Sequence, residues 1–431
     1  MATSKIITLG CKLNFAESAT ISQRLAERGI TPAARGTAPD VIVVNTCSVT
    51  SLADRKCRQQ IRSYIRRYPD ALMIVTGCYA QLKSDEVAAI DGVDIVLGSE
   101  YKLDIVEHVE HWLENRERAT IVSRHKDIRR FSPSCQRGDR TRYFLKVQDG
   151  CDYYCSYCTI PLARGRSRSG LIADLVAQAQ AVADEGGREI VITGVNIGDF
   201  GKNTGEQFLD LLKALDAVEG IERYRISSIE PDLLTDDIIA FCARSHAFMP
   251  HFHIPLQSGS DEVLELMRRH YRRQLFAHKV ARIRQLMPDA FIGVDVMVGT
   301  RGETPERFAD SYDFIASLDI QHLHVFPYSE RPGTMALRIP YIVDKAEKTA
   351  RVERMLALSD CKQREFIARY LGTTRPALLE QPAAGDVMHA FTDNYIRLTM
   401  PRDDSRAGQI VDCRLLAMNP DLTVTAEIVT P

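Results

Sequence analysis

The chain has 431 residues, a formal net charge of −2, and 45% hydrophobic and 26% charged residues; these are ordinary globular proportions, enough for roughly three domains of about 150 residues each. A near-neutral balance excludes bulk attraction to nucleic acid, so any RNA affinity must come from local basic patches. Eleven cysteines are odd in number and too sparse for a disulfide scaffold, and no run of about 18 apolar residues offers a membrane span. Met1-Ala2-Thr3-Ser4-Lys5 leads straight into an apolar strand, so the expectation is a protein of the reducing cytoplasm, without a leader, whose thiolates persist for metal.

The first hundred residues alternate strand and helix. Ile6-Ile7-Thr8-Leu9-Gly10 ends at Cys11, Asp40 to Thr46 ends at Cys47, and Leu72 to Gly77 ends at Cys78. Helical stretches fall between, Glu17 to Arg28 and Leu52 to Arg67, and Asp94 to Gly98 reads as a fourth strand. Continuous apolar strands with helical crossovers imply an α/β fold with a doubly wound parallel sheet, whose strands all present their carboxyl ends along one edge. A lone Cys after a strand is usually a buried small residue. Three strands out of three ending in Cys predict that the thiols of Cys11, Cys47 and Cys78 converge on that edge. Gly10 and Gly77 suit the tight turns there.

Residues 116–139, charged and poorly patterned around Ser132-Pro133-Ser134, read as a linker between a first domain at 1–115 and a second at 140–370. The second has six strand candidates: Tyr143 to Val147, Glu189 to Thr193, Tyr224 to Ser227, His253 to Leu256, Phe291 to Val294 and His322 to Phe326. Six strands alternating with helices predict a partial, open (βα)6 barrel with chemistry at the strand carboxyl ends. At the first of those ends lies Cys151-Asp152-Tyr153-Tyr154-Cys155-Ser156-Tyr157-Cys158. This C-x3-C-x2-C spacing supplies three thiolates and no fourth. A structural zinc site wants four ligands, and the bland alternative is a zinc knuckle completed from elsewhere. A 4Fe–4S cluster held by three thiolates keeps one iron open to a ligand that is not protein.

The later strand ends carry polar, Gly-rich loops suited to a charged small molecule: Gly194-Val195-Asn196-Ile197-Gly198, Ser227-Ser228-Ile229-Glu230-Pro231 and Gln257-Ser258-Gly259-Ser260. A helix from Asp344 to Tyr370 leads to residues 371–431, whose short strands and turns predict a small β-barrel. Arg55, Arg58, Arg62 and Arg66 share one helical stripe, and Arg164, Arg166 and Arg168 alternate just past the Cys151 loop. Both groups are candidate phosphate contacts, although a charged stripe is more often a solvated face. The group at Arg268, Arg269, Arg272 and Arg273 is a weaker candidate. Cys57, Cys135, Cys242, Cys361 and Cys413 lack partners at metal spacing, and His251 and His253 read as structural.

With these residues in view, the chain resembles the radical S-adenosylmethionine (SAM) methylthiotransferases. The resemblance is carried by the Cys151 loop with Ile160-Pro161-Leu162-Ala163-Arg164-Gly165, by Thr8-Leu9-Gly10-Cys11-Lys12-Leu13-Asn14, by Asn45-Thr46-Cys47-Ser48-Val49-Thr50, by Thr76-Gly77-Cys78 and by Pro255-Leu256-Gln257-Ser258-Gly259-Ser260. His324-Val325-Phe326-Pro327-Tyr328-Ser329 and Thr392-Asp393-Asn394-Tyr395-Ile396 make it most similar to the branch acting on threonylcarbamoyladenosine in tRNA. The resemblance implies a methylthiotransferase N-terminal domain, a radical SAM core and a C-terminal TRAM RNA-binding domain. One departure is Ala390-Phe391, where that last module usually offers a Gly and an aromatic.

It implies that Cys151, Cys155 and Cys158 hold a 4Fe–4S cluster that binds and reductively cleaves SAM, and that Cys11, Cys47 and Cys78 hold an auxiliary 4Fe–4S cluster that presents sulfur. The product would carry a methylthio group on C2 of the modified adenosine next to the anticodon. Tyr157, Gly194, Asn196, Ser228 and Gln257 are the expected SAM contacts. Expected partners are the tRNA anticodon stem-loop and an electron donor such as flavodoxin or ferredoxin, with the chain a monomer. The alternatives are the same chemistry on isopentenyladenosine, or a non-catalytic iron–sulfur RNA-binding protein.

Overall fold

The computed structural model describes residues 2–135, 141–381 and 385–429. Six parallel strands build the N-terminal sheet: β1 (Thr3–Thr8), β2 (Thr31–Pro32), β3 (Val41–Thr46), β4 (Leu72–Gly77), β5 (Ile95–Leu97) and β6 (Ala119–Ile121), in the order β2-β1-β3-β4-β5-β6. Alternate residues of the central strands feed two separate cores. Val41, Val43, Leu72 and Ile74 pack on helices Lys12–Glu27 and Ile105–Asn115, whereas Ile42, Val44, Met73 and Val75 pack on Ser51–Arg67 and Cys78–Leu82. Burial on both faces is why these strands read as unbroken apolar runs. The expected linker begins too early: β6 completes the sheet against β5, and β7 (Ser134–Cys135) pairs antiparallel with the next domain. Both strands are too short for a period-2 pattern to show among charged neighbours. The end of that linker, 136–139, lies outside the described residues.

All six expected barrel strands form: β8 (Arg142–Lys146), β11 (Glu189–Thr193), β12 (Arg223–Ile226), β13 (His251–Gln257), β14 (Phe291–Val298) and β15 (His322–Pro327). They run parallel as β8-β11-β12 and β13-β14-β15, with single bridges from Tyr224 to Phe248 and from Ser228 to His253 joining the two halves. Two short strands, β9 (Gln148–Asp149) and β10 (Arg168–Ser169), pair antiparallel and close the base of the loop carrying Cys151. One apolar core lies between the sheet and its helices.

Helix Lys345–Ala368, capped by the Asp344 carboxylate accepting from the amides of Ala346 and Glu347, packs on β15 and leads to the C-terminal unit. There β16 (Thr374–Leu379), β17 (Val387–Thr392), β18 (Arg397–Pro401), β19 (Ile410–Met418) and β20 (Val424–Ile428) form a closed barrel in the order β16-β17-β18-β20-β19. Strand β19 was not expected from sequence: its inward–outward alternation breaks at Leu415–Ala417, where the register against β20 shifts. Ala390 and Phe391 sit within β17 rather than in a turn. Two arginines dock this barrel on β12. Arg223 donates to the carbonyls of Phe391 and Pro376, and Arg225 to those of Thr392 and Asp393. Residues 382–384 and 430–431 of the expected last domain lie outside the described residues.

Candidate functional site

Three adjacent strands deliver the first cysteine set. Cys11 follows β1 and caps helix Lys12–Glu27, Cys47 follows β3, and Cys78 follows β4 and opens helix Cys78–Leu82. Because β1, β3 and β4 are neighbours, the three residues stand side by side on one edge. Two glycines make the approach possible. Gly10 has φ +122°, and a Cβ there would lie 2.8 Å from Cβ of Cys47; Gly77 has φ +95°, and its Cβ would lie 2.3 Å from the Thr46 carbonyl oxygen. No L side chain fits either place. Burial pushes the Cys47 thiol up to about 12, and the neighbouring Cys78 and Cys11 push the same way.

The second set sits at the barrel mouth, on the loop between β9 and β10. The amide of Tyr153 donates to Sγ of Cys151 and that of Ile160 to Sγ of Cys158, each at 3.4 Å. Arg269 donates from Nη1 to Sγ of Cys155 at 3.0 Å while pairing with Glu230. These donors all favour thiolate over thiol. Without metal, burial and then the nearby Cys155 push Cys158 up to about 12. Arg269, read from sequence as a weaker candidate phosphate contact, instead supports the cysteine loop. Tyr153 is fixed by donating from its hydroxyl to Asp232 and by stacking on His270 at 4.1 Å.

Among the described residues, the group whose ligand atoms close to within 4.8 Å of one another is His253, Asp295 and His324; neither cysteine set is drawn that tight. Each set offers three thiols, a donor number that suits a 4Fe–4S group with one open iron. His253 and Asp295 are bonded at 2.7 Å, so the barrel histidines do form a polar cluster instead of standing alone.

Two cavities open where the sheet edge meets the barrel mouth. One of about 420 Å³ lies beside Cys11 and Lys12 and is walled by Phe15, Phe144, Ser228 and His253. The other, of about 210 Å³, lies beside Cys158, with Thr50 of the first domain facing Tyr157, Gln257 and Tyr328. The five expected SAM contacts are not brought to one place. Gly194 and Ser228 line the larger cavity, while Tyr157 and Gln257 line the smaller. Asn196 is buried, and among the described residues neither Oδ1 nor Nδ2 has a partner. A buried amide left so is costly, which suits a polar ligand that completes it.

The basic groups divide. Arg55, Arg62 and Arg66 are exposed along helix Ser51–Arg67, and Arg166 is exposed beyond the Cys151 loop. Arg58 is half-buried and tied to Glu86 at 2.8 Å and to the Tyr79 hydroxyl. Arg164 and Arg168, expected at phosphates, are instead buried in a charge network between the two domains. Arg164 bonds Glu17 and Asp149, each at 3.0 Å, and Asn14 at 2.7 Å; Arg168 bonds Asp149 at 3.2 Å. Lys102 and Lys146 bond Glu17 at 2.8 and 2.9 Å, and Lys146 also bonds Asp149 at 2.7 Å. Four cations thus face two carboxylates, a formal surplus of two positive charges (4 − 2), and Arg164 of this network lies close enough to Cys78 and Cys11 to interact with both. Burial alone would raise the Glu17 carboxyl, but Arg164, Lys102 and Lys146 hold it well below the usual range. The sequence does carry a signal for Glu17: it interrupts the buried stripe Leu13–Glu17–Ile21 at i, i+4, i+8, where a carboxylate needs a partner.

The family model described as "Uncharacterized protein family UPF0004" matches residues 3–98, and that of the Radical SAM superfamily matches residues 145–315. The threonylcarbamoyladenosine tRNA methylthiotransferase MtaB of Bacillus subtilis is 39% identical over 426 residues, covering 96% of this chain and 94% of that protein. The tRNA-2-methylthio-N(6)-dimethylallyladenosine synthase of Thermobifida fusca is 34% identical, covering 86% of this chain and 76% of that protein. Among solved structures, the radical S-adenosylmethionine methyltransferase TsrM of Kitasatospora setae, with cobalamin and a [4Fe-4S] cluster bound, superposes with a TM-score of 0.58 at 15% identity. It covers 79% of this chain and 78% of its own, a likeness of fold.

Proposed function

The chain belongs to the tRNA methylthiotransferases of the radical SAM superfamily, and from that premise we propose the roles its residues play in the reaction. It is an enzyme that adds a methylthio group to C2 of threonylcarbamoyladenosine in tRNA, using two 4Fe–4S clusters and SAM. The observation that carries the assignment of residues is that one cysteine of each set, Cys11 and Cys158, lines a separate cavity where residues of both domains meet. Cys151, Cys155 and Cys158 would hold the cluster that cleaves SAM, and Cys11, Cys47 and Cys78 the cluster that supplies sulfur. When bound, these groups supply the one-electron chemistry and the sulfur atom.

The protein's own part is placement and exclusion. Tyr153, Ile160 and Arg269 hold the second thiolate set by hydrogen bonds to sulfur. Tyr157 and Gln257 wall the cavity beside Cys158, and Gly194 and Ser228 wall the one beside Cys11. Asn196 offers its unpaired amide to the SAM head group. Such walls keep water and stray hydrogen donors away from the reacting carbon, and fixed geometry replaces a chance encounter. A base splayed out of a single-stranded loop is what a junction crevice of this kind can admit.

Arg55, Arg62, Arg66 and Arg166 would meet RNA phosphates. Replacing Arg55, Arg62 and Arg66 together by Gln should weaken binding of an anticodon stem-loop evenly across sequences. It should also reduce the slope of log affinity against log salt by roughly 2, at ~0.7 per single-strand contact. Titration at several salt concentrations checks this; an unchanged slope makes the stripe a solvated face. No helix among the described residues is long and apolar enough to cross a membrane. A cytoplasmic monomer served by a flavodoxin- or ferredoxin-like donor completes the reading.

Mass spectrometry of tRNA nucleosides tests the substrate. A strain lacking this chain should lose methylthio-threonylcarbamoyladenosine and keep the methylthio-isopentenyl nucleoside. Loss of only the latter overturns the assignment.

A further inference from the structure

The larger cavity contains a cation that the protein leaves unmatched. Lys12 lines it beside Cys11, on the wall facing Ser228 and His253. Among the described residues its ammonium has neither a hydrogen bond nor an ion pair. The neighbouring cations are already neutralised: Arg142 holds Glu380 at 3.0 Å, and Arg225 holds Glu189 at 2.9 Å. Burial first, then Arg225 and Lys12, holds His251 below the usual imidazole range, and burial first, then the neighbouring His253 and His322, does the same for His324. These two rings offer hydrogen bonds but no charge at neutral pH, and the nearby Asp295 carboxylate is bonded to His253 at 2.7 Å, so Lys12 is the unpaired charge on the cavity wall.

Lys12 is a half-buried residue, and an anion entering the same crevice gains a charge-assisted bond in a medium of lower dielectric than water. The remaining walls describe the rest of that anion. Phe15 and Phe144 supply apolar aromatic wall suited to a base, and Ser228 and His253 supply polar residues. A purely apolar substituent would leave Lys12 desolvated and unpaired, which costs affinity. A carboxylate-bearing one completes it.

We propose that Lys12 seats the carboxylate of the substrate's N6 side chain and so selects threonylcarbamoyladenosine over isopentenyladenosine. This rests on the substrate reading above and names the residue that enforces it. The base lies against Phe15 and Phe144 beside the Cys11 set, with the side-chain hydroxyl and carbamoyl groups toward Ser228 and His253.

The test uses reconstituted holoenzyme and three synthetic anticodon stem-loops that differ in one substituent: threonylcarbamoyl, its methyl ester, and isopentenyl. Affinities are measured by fluorescence anisotropy, with iron content recorded for every variant. Wild type should prefer the free acid to the ester by roughly 10- to 100-fold, the range for a charge-assisted bond in a partly desolvated site. Lys12→Met should abolish that preference while leaving ester and isopentenyl binding unchanged, and Lys12→Arg should keep most of it. If Lys12→Met loses iron, Lys12→Gln provides the comparison. A neutral variant that still prefers the acid, or one that weakens acid and ester equally, overturns the carboxylate seat. Wild type that binds the isopentenyl RNA most tightly, and converts it, overturns the substrate reading instead.

Discussion

Replacing Cys47 by Ala should halve the metal of the protein and separate its two chemistries. Anaerobically reconstituted wild type should carry about eight iron atoms per chain and the variant about four, since each 4Fe–4S cluster needs its thiolates. Reduced with dithionite in the presence of SAM, the variant should still form deoxyadenosine, because the Cys151 loop and its supports are untouched. Methylthio product should fall to background. Cys155→Ala should lose both activities, since it removes the thiolate that Arg269 holds at 3.0 Å. Iron and sulfide assays with product chromatography check the pair. A Cys47→Ala protein with full iron, or with normal methylthio transfer, would remove the sulfur-side cluster from these three residues. Protons enter as well: burial pushes Cys47 and Cys158 up to about 12, so assembly must release protons from thiols. Loading should therefore weaken as pH falls from 8 to 6.

Glu17→Gln is expected to be the most damaging single change outside the cysteines. Glu17 bonds Lys102, Lys146 and Arg164, and it is wholly buried. Removing its charge strands those cations against Asp149 alone. Breaking a buried pair in this way costs about 3–5 kcal/mol, because the remaining charges keep their desolvation penalty. The network joins the N-terminal sheet to the barrel, so the midpoint of urea unfolding should drop and the domain junction should open first to limited proteolysis. The pH dependence has a definite sign. The folded carboxyl is held well below its unfolded value of about 4.3, so its stabilisation is complete above that pH and fades as pH falls toward the folded value. Wild type should lose stability on acidification below about pH 4 through this group, whereas Glu17→Gln, already destabilised, should lack that component. Equal unfolding midpoints for the two proteins at pH 7 would show that the network contributes specificity and not stability.

Much of the architecture was visible in the chain. All six barrel strands fell where apolar runs alternate with helical stretches, and Cys11, Cys47 and Cys78 follow their strands as expected. What was lost were elements too short or too irregular to leave a period: β2, β6 and β7, with two or three residues each, and β19, whose alternation a register shift at Leu415–Ala417 interrupts. The basic residues were the weakest reading. Arg164 and Arg166 are two positions apart, yet the first is buried against Glu17 and Asp149 and the second is exposed.

That contrast marks the boundary between the two kinds of information. Strand and helix periods, a cysteine at each strand end and a three-thiolate loop are local properties, legible because backbone geometry ties each to a spacing of a few residues. Whether a charge meets solvent, a carboxylate or an empty crevice depends on segments far apart in the chain. Lys146 reaches Glu17 across 129 positions and Arg164 reaches Asn14 across 150, whereas Asp295, the acid near the cavity that Lys12 lines, is bonded to His253. Coulomb energies depend on distance in space and on burial, and neither is written in the order of residues.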